Sequence, residues 1–241
     1  ADGYQLLFHN YLTGGENPDV FTHRYCRLFR NGPKYRFEGK VHEVVEPSIA
    51  KSCGRIGQID ALIHHYGYRQ DTMEGRGKRE RYIRLLESEL EENPNNVYSL
   101  YNLGVTYLTA SDCQNAIKYF SRAADNVTSG GELTSRIFSC LAKCLNASNK
   151  PEEALVAVER GEKLGGPHPE LSYCQGCALY TLNRHEDAVK SFEKAILLGK
   201  NKTDWIGDAG AYGYKARHGI ALARLALKDW AGAIDECRKI L

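Results

Sequence analysis

Two pairs of cysteines carry the sharpest metal-like spacing in this chain. Cys174 and Cys177 are separated by two residues, the spacing by which a knuckle holds zinc, and Cys140 and Cys144 stand one helical turn apart. All four fall on helical segments rather than on a tight knuckle, and cysteine is also a good small core residue. The eight cysteines are therefore read as reduced thiols, not as zinc ligands or a disulfide framework. A carboxylate, Glu43, follows His42 at the end of an apolar, strand-like run. A carboxylate so placed can take a proton from a hydroxyl, or it can simply end a strand. Lys78, Arg79 and Arg81 make a basic cluster after the last strand-like segment. Such a cluster can close over a diphosphate or sit solvated at the start of a helix. Asn126, Asn146 and Asn201 open N-glycosylation triplets, which carry no meaning in a cytoplasmic protein.

The elements that must position these residues change character near Gly75. Before it, Tyr4–Leu12, His23–Phe29, Lys34–Val45 and Arg55–Tyr68 read as strands, broken at Gly14-Gly15, Asn31-Gly32-Pro33 and Gly54. Four strands are too few to close a core alone, so they belong to a larger sheet domain or pack on helices. Lys78–Glu92 reads as an amphipathic helix with Ile83, Leu86 and Leu90 on its apolar stripe, stopped at Asn93-Pro94. From Val97 onward the spacing is that of helical hairpins. Leu100, Leu103, Gly104 and Tyr107 share one face of a first helix, and Ala116, Phe120 and Ala123 share one face of a second.

That order recurs: Phe138, Leu141, Ala142 and Leu145 are followed by Ala154, Val158 and Gly161, and Gly176 and Leu179 by Ala188, Phe192 and Ala195. A fourth, less regular copy runs through Gly219, Leu222, Trp230, Ala233 and Ile234. Ala154 and Ala188 are 34 apart; Ala116 precedes Ala154 by four more, an excess assigned to the loop Thr128–Glu132. Ala233 follows Ala188 by 45, with the surplus in Lys200–Tyr214. The pattern resembles the tetratricopeptide repeat, whose period is about 34 residues. It implies a mainly α fold, an α-solenoid of about four hairpins over 97–130, 131–168, 169–202 and 212–241, capped by 75–96. By family register, the inner face carries Tyr98, Tyr101 and Val105, then Arg136, Ser139 and Lys143, then Tyr173 and Tyr180. Tyrosines with interspersed cations suit an extended peptide or protein partner.

Residues 1–74 carry a second resemblance, in Arg27-Leu28-Phe29-Arg30-Asn31, Tyr35, Gly39-Lys40-Val41-His42-Glu43 and Ile63-His64-His65-Tyr66-Gly67-Tyr68. It continues through Lys78, Arg81, Leu85-Leu86-Glu87, Glu89-Leu90 and Glu92-Asn93-Pro94. This set is similar to the C-terminal part of a bacterial family 2 glycosyltransferase, often followed by tetratricopeptide repeats. The resemblance implies the tail of a GT-A α/β domain that transfers a sugar from a nucleotide donor with a divalent metal, Mn²⁺ or Mg²⁺. It implies Glu43 as the base on the acceptor side, His65 or His42 as a metal ligand, and Arg27, Arg30, Lys78 and Arg81 as phosphate-positioning groups. No Asp-x-Asp occurs in the chain, so the nucleotide-sugar half and the metal site are expected to precede Ala1. The piece itself is expected to hold no cofactor and to be inactive alone.

The 241 residues allow one or two domains, and 42% hydrophobic content supports a sizeable core. A net charge of +2 gives no sign of a nucleic-acid partner, and no apolar run is long enough for a membrane span. With no secretory signal at the start, a cytoplasmic location is expected. Two functions follow: part of a glycosyltransferase whose repeats hold an acceptor or partner, or a non-catalytic interaction scaffold.

Overall fold

The computed structural model describes residues 1–11, 20–39, 43–66, 76–201 and 207–240. They form two units, Ala1–Glu89 and Leu90–Leu241. In the first, β1 (Gly3–Tyr11) is the middle strand, paired antiparallel with β2 (Val20–Phe29) and parallel with β3 (Ile56–His65). The register slips between Tyr4 and Gln5. Beside the slip, the Cys26 N–H is free to donate to Glu46 Oε1 at 2.7 Å, and Glu46 Oε2 accepts from Val45 N.

Glu46 opens a short helix, α1 (Glu46–Lys51), that the sequence reading does not anticipate. Six residues are too few to display a helical period, and Pro47 in the first turn is the one local sign of it. Ile49 of α1 packs with Val45 and Cys26 as a small buried core, flanked by Phe29 and Tyr35. Lys34–Val45, expected to be a strand, is not one among its described residues. It has an isolated bridge between Glu38 and Val44. The reason is a competing partner: the Ser48 hydroxyl accepts from Arg36 N at 2.8 Å and donates to Lys34 O at 3.1 Å, so this backbone bonds to α1 instead of a ladder.

After α2 (Arg76–Glu92), eight helices form four hairpins: α3 (Val97–Thr109) with α4 (Cys113–Asn126), α5 (Glu132–Ala147) with α6 (Pro151–Gly165), α7 (Pro169–Thr181) with α8 (His185–Asn201), and α9 (Tyr214–Ala226) with α10 (Trp230–Arg238). The anchors Ala116, Ala154, Ala188 and Ala233 are all buried. The four-residue excess in the second repeat is split, with the loop after Asn126 lengthened and α5 running 16 residues against 13 in α7. No helix among the described residues is long and apolar enough to cross a membrane.

All four hairpins turn in one way. Ser111, Asn149, Asn183 and Lys228 each take a left-handed φ, between 56° and 64°. In each, the next residue's N–H reaches back five residues: Asp112 to Tyr107, Lys150 to Leu145, Arg184 to Leu179 and Asp229 to Arg224, at 2.9–3.0 Å. This is the Schellman pattern, which satisfies the last carbonyls of the first helix and aims the chain into the second. Asp112 and Asp229 then cap the second helices of their hairpins by accepting from Asn115 N and Gly232 N.

The hairpins close because one residue at each crossing is small. A Cβ on Gly104 would lie 2.6 Å from the Phe120 ring, and one on Gly176 equally close to Phe192. The second hairpin exchanges the roles, with Gly161 of α6 against Phe138 of α5. Phe192 also fills the space beside Gly219, which joins the third hairpin to the fourth through Leu179, Ala216 and Ile220.

Gly104→Leu should therefore destabilise the array by roughly 2–4 kcal/mol through overpacking, although leucine is the better helix former by about 1 kcal/mol. Urea unfolding followed by circular dichroism measures it; a neutral effect would show that this crossing is not close-packed.

Candidate functional site

The first helices α3, α5 and α7 turn equivalent residues to one side. Tyr98, Arg136 and Glu170 are separated by 38 and 34 residues, the same intervals as Ala116, Ala154 and Ala188, so they form one row. Tyr101, Ser139 and Tyr173 form a second, and Val105, Lys143 and Cys177 a third. Of the residues expected to line a groove, Arg136 reaches Tyr101 of the preceding repeat, and Ser139 and Lys143 reach Glu170 of the following one; Tyr180 falls in none of these rows.

The joining is polar. Arg136 Nε donates to the Tyr101 hydroxyl at 2.9 Å, with its guanidinium over the Tyr101 ring. Lys143 Nζ donates to Glu170 Oε2 at 2.6 Å, and Ser139 Oγ donates to the same oxygen at 3.3 Å. Asn146 Nδ2 reaches Cys174 O at 2.9 Å. Glu170 Oε1 accepts from Asp208 N at 2.6 Å, and Asp208 Oδ2 in turn pairs with Lys215 at 2.8 Å.

Burial pushes the Glu170 carboxyl upward, but the Lys143 and Arg136 charges outweigh it and hold it down to about 2. Burial disfavours the Lys143 charge, and Glu170 outweighs that too, keeping it well above the ordinary lysine range. Burial also raises the Tyr101 hydroxyl, which stays protonated and donates or accepts as a neutral group.

Glu170 is the residue that sequence reasoning misses. Its signal is the repeat interval that links it to Tyr98 and Arg136, and a search for aromatic and cationic residues passes over an acid. Two other expectations change. Tyr101 is a core residue, buried against Phe120, so truncating it damages packing as well as any groove. Tyr173 likewise lies against Phe192. Tyr98, Val105, Arg136, Lys143, Tyr173 and Tyr180 are half-buried, whereas Tyr101 and Ser139 are buried.

The cysteine pairs are core residues: Cys140, Cys144 and Cys174 are buried, and Cys174 Sγ donates to Ser139 O. Burial raises the thiols of Cys140 and Cys174, and pushes that of Cys144 up to about 12, which is unfavourable for the thiolate that zinc requires.

Of the candidates in the first unit, Glu43 is exposed, beside the Glu38–Val44 bridge. His65 Nδ1 bonds to Asn10 Oδ1 at 2.9 Å, and Asn10 Nδ2 bonds to His23 across the sheet. The guanidinium of Arg27 sits over the Tyr25 and Phe37 rings. Arg30 Nε lies 3.7 Å from Asp2. Arg81 is exposed on α2; His42 and the Lys78 side chain lie outside the described residues. Among the described residues no three His, Cys, Asp or Glu side chains are placed together to hold a metal ion.

Stacked hairpins with Schellman turns and glycine crossings define an α-solenoid. A family profile described as the tetratricopeptide repeat matches residues 76–130 and 173–241, and the chain belongs to that family. A TPR repeat-containing protein of Synechococcus elongatus is 32% identical over 105 residues, 41% of this chain. The chain spans about a quarter (26%) of that relative's length. Among solved structures, the MamA protein superposes with a TM-score of 0.56 at 21% identity, over 69% of this chain and 82% of its own. YrrB, described as a TPR protein with an unusual peptide-binding site, superposes with a TM-score of 0.53 at 16% identity, over 68% and 77%. At these identities the likeness is one of fold.

The Glu170 shift carries a pH signature. A carboxyl held below its ordinary 4.5 stabilises the fold above that value and loses the contribution as pH falls toward about 2. Unfolding free energy should decline across that window, and Glu170→Gln, with no proton to gain, should flatten much of the decline. At pH 7 the same substitution should cost roughly 2–4 kcal/mol, somewhat less than for a fully buried pair because Lys143 is partly exposed. Urea titrations at several pH values read both effects, and an unchanged acid limb would contradict the assignment.

Proposed function

We propose that this chain is a protein-interaction module whose inner solenoid face binds an extended polypeptide of a partner protein. The observation that carries this is the set of rows formed by α3, α5 and α7, in which Tyr98, Val105 and Lys143 remain half-buried, with half-buried Tyr180 near the end of α7. Aromatic rings supply contact area at low entropic cost, and Lys143 supplies a donor that can be shared. Membership of the tetratricopeptide repeat family supports the reading, as does the fold likeness to a peptide-binding TPR protein.

A second reading treats the first unit as the acceptor-side tail of a family 2 glycosyltransferase, the repeats then holding the acceptor. The parallel pairing of β1 with β3 favours it, because parallel strands belong to α/β domains rather than to simple hairpin caps. In that reading exposed Glu43 takes the acceptor proton, and the nucleotide sugar and divalent metal are held by chain preceding Ala1. An Asp-x-Asp on a nucleotide-binding sheet upstream would support it, and its absence would end it.

The polypeptide reading is tested by panning a random peptide library on the purified chain. Selected peptides should lose about 2 kcal/mol or more, roughly 30-fold in affinity, when Tyr98→Ala is combined with Tyr180→Ala, with helical content retained although Tyr180 also packs on the third-hairpin core. Selection of no peptide, or of peptides indifferent to both substitutions, would refute it.

A further inference from the structure

The interval between the third and fourth repeats exceeds the period by about eleven residues. A surplus of that kind ordinarily runs over the surface as a loop. The described part of this one does not. Gly207 and Ala211 are buried, and Asp208 N donates to Glu170 Oε1 at 2.6 Å. The Asp208 carboxylate caps the short 3₁₀ turn Ala209–Tyr212 by accepting from Gly210 N at 2.9 Å, and it pairs with Lys215. The Tyr212 ring lies where a Cβ on Gly199 of α8 would be.

The seat tolerates one residue type at its contact point. Gly207 has φ +140°, and a Cβ there would run into Glu170 Oε1. Glycine is needed both for the backbone angle and for the approach to the carboxylate. Glu170 itself belongs to the inner-face row of Tyr98 and Arg136, so the segment docks on that row and not on the outer surface. Its bond is of the kind an incoming polypeptide would make: a backbone N–H offered to a fixed carboxylate.

We propose that Gly207–Tyr212 is an internal pseudo-ligand that gates the inner face, and that a polypeptide partner enters the third-repeat end by replacing the Asp208 N–H on Glu170. This rests on the polypeptide-binding reading and adds its regulation. The segment is linked to its seat, so it competes at high effective concentration. Apparent affinity for an outside peptide is lowered by the fraction of time the seat is open. Substitutions that undock the segment therefore raise affinity, whereas a purely structural loop would leave it unchanged or lower it.

The probe is a synthetic, fluorescently labelled peptide with the sequence of residues 203–213, offered to the chain in solution. Wild type should bind it at least about 30-fold more weakly than Gly207→Val, whose segment cannot seat. Fast amide exchange at Asp208 in Gly207→Val, with helical content retained, checks that the variant undocks rather than unfolds. A second variant replaces residues 203–212 by a Gly/Ser linker of equal length and should bind as tightly as the first. Equal binding to wild type and to both variants overturns the gate, as does failure of both undocked variants to bind. Library-selected peptides that bind wild type and the linker variant alike also overturn it while leaving the polypeptide reading intact. Failure of any library peptide to bind either chain overturns the reading itself.

Discussion

The ion pair between Lys143 and Glu170 is the constraint on which the inner face depends. Glu170 is almost fully buried, and a carboxylate taken out of water costs several kcal/mol unless its lone pairs are filled. Here they are filled by three donors from two elements: Lys143 and Ser139 from α5, and the Asp208 amide from the segment beyond α8. Removing any one donor leaves a charge that the others must carry. The second repeat, the third and the inserted segment are therefore coupled through one carboxyl group. That coupling makes the site both rigid and specific, since a half-satisfied buried network is worse than an apolar one.

Such a network needs its partners at hydrogen-bond distance, and the helix crossings set that distance. Glycine against phenylalanine brings each hairpin's helices together, and the left-handed turn residues fix how the second helix returns. With every hairpin built alike, equivalent residues fall in rows, and the rows bring Arg136 to Tyr101 and Lys143 to Glu170. The second repeat shows that the geometry matters and the residue identity less, because glycine and phenylalanine change places there without disturbing the row.

This order was largely legible in the sequence. The buried alanines and the small residues at the crossings announce four hairpins, because close packing permits few residue types there. The turn residues are less legible: asparagine suits a left-handed angle, but Ser111 and Lys228 do not advertise it. Glu170 was within reach, since the repeat interval points to it, yet an acid does not fit the expectation of an aromatic, cationic groove. The Gly207–Tyr212 segment has no periodic apolar pattern, and only its tertiary partners give it shape. In the first unit β1, β2 and β3 follow from β-branched and aromatic runs, whereas Lys34–Val45 reads as a strand and is not one, because Ser48, just beyond it on α1, takes the hydrogen bonds a strand would have used.

The energetic claim is that Lys143 and Glu170 stabilise the array as a coupled pair rather than as two independent polar residues. A double-mutant cycle with Lys143→Met, Glu170→Gln and the combined variant, read by urea unfolding at pH 7, addresses it directly. Each single change should be costly because it strands the other group, and the double variant should be much less destabilised than the sum, with a coupling of about 2 kcal/mol or more. Additivity to within about 0.5 kcal/mol would contradict the account.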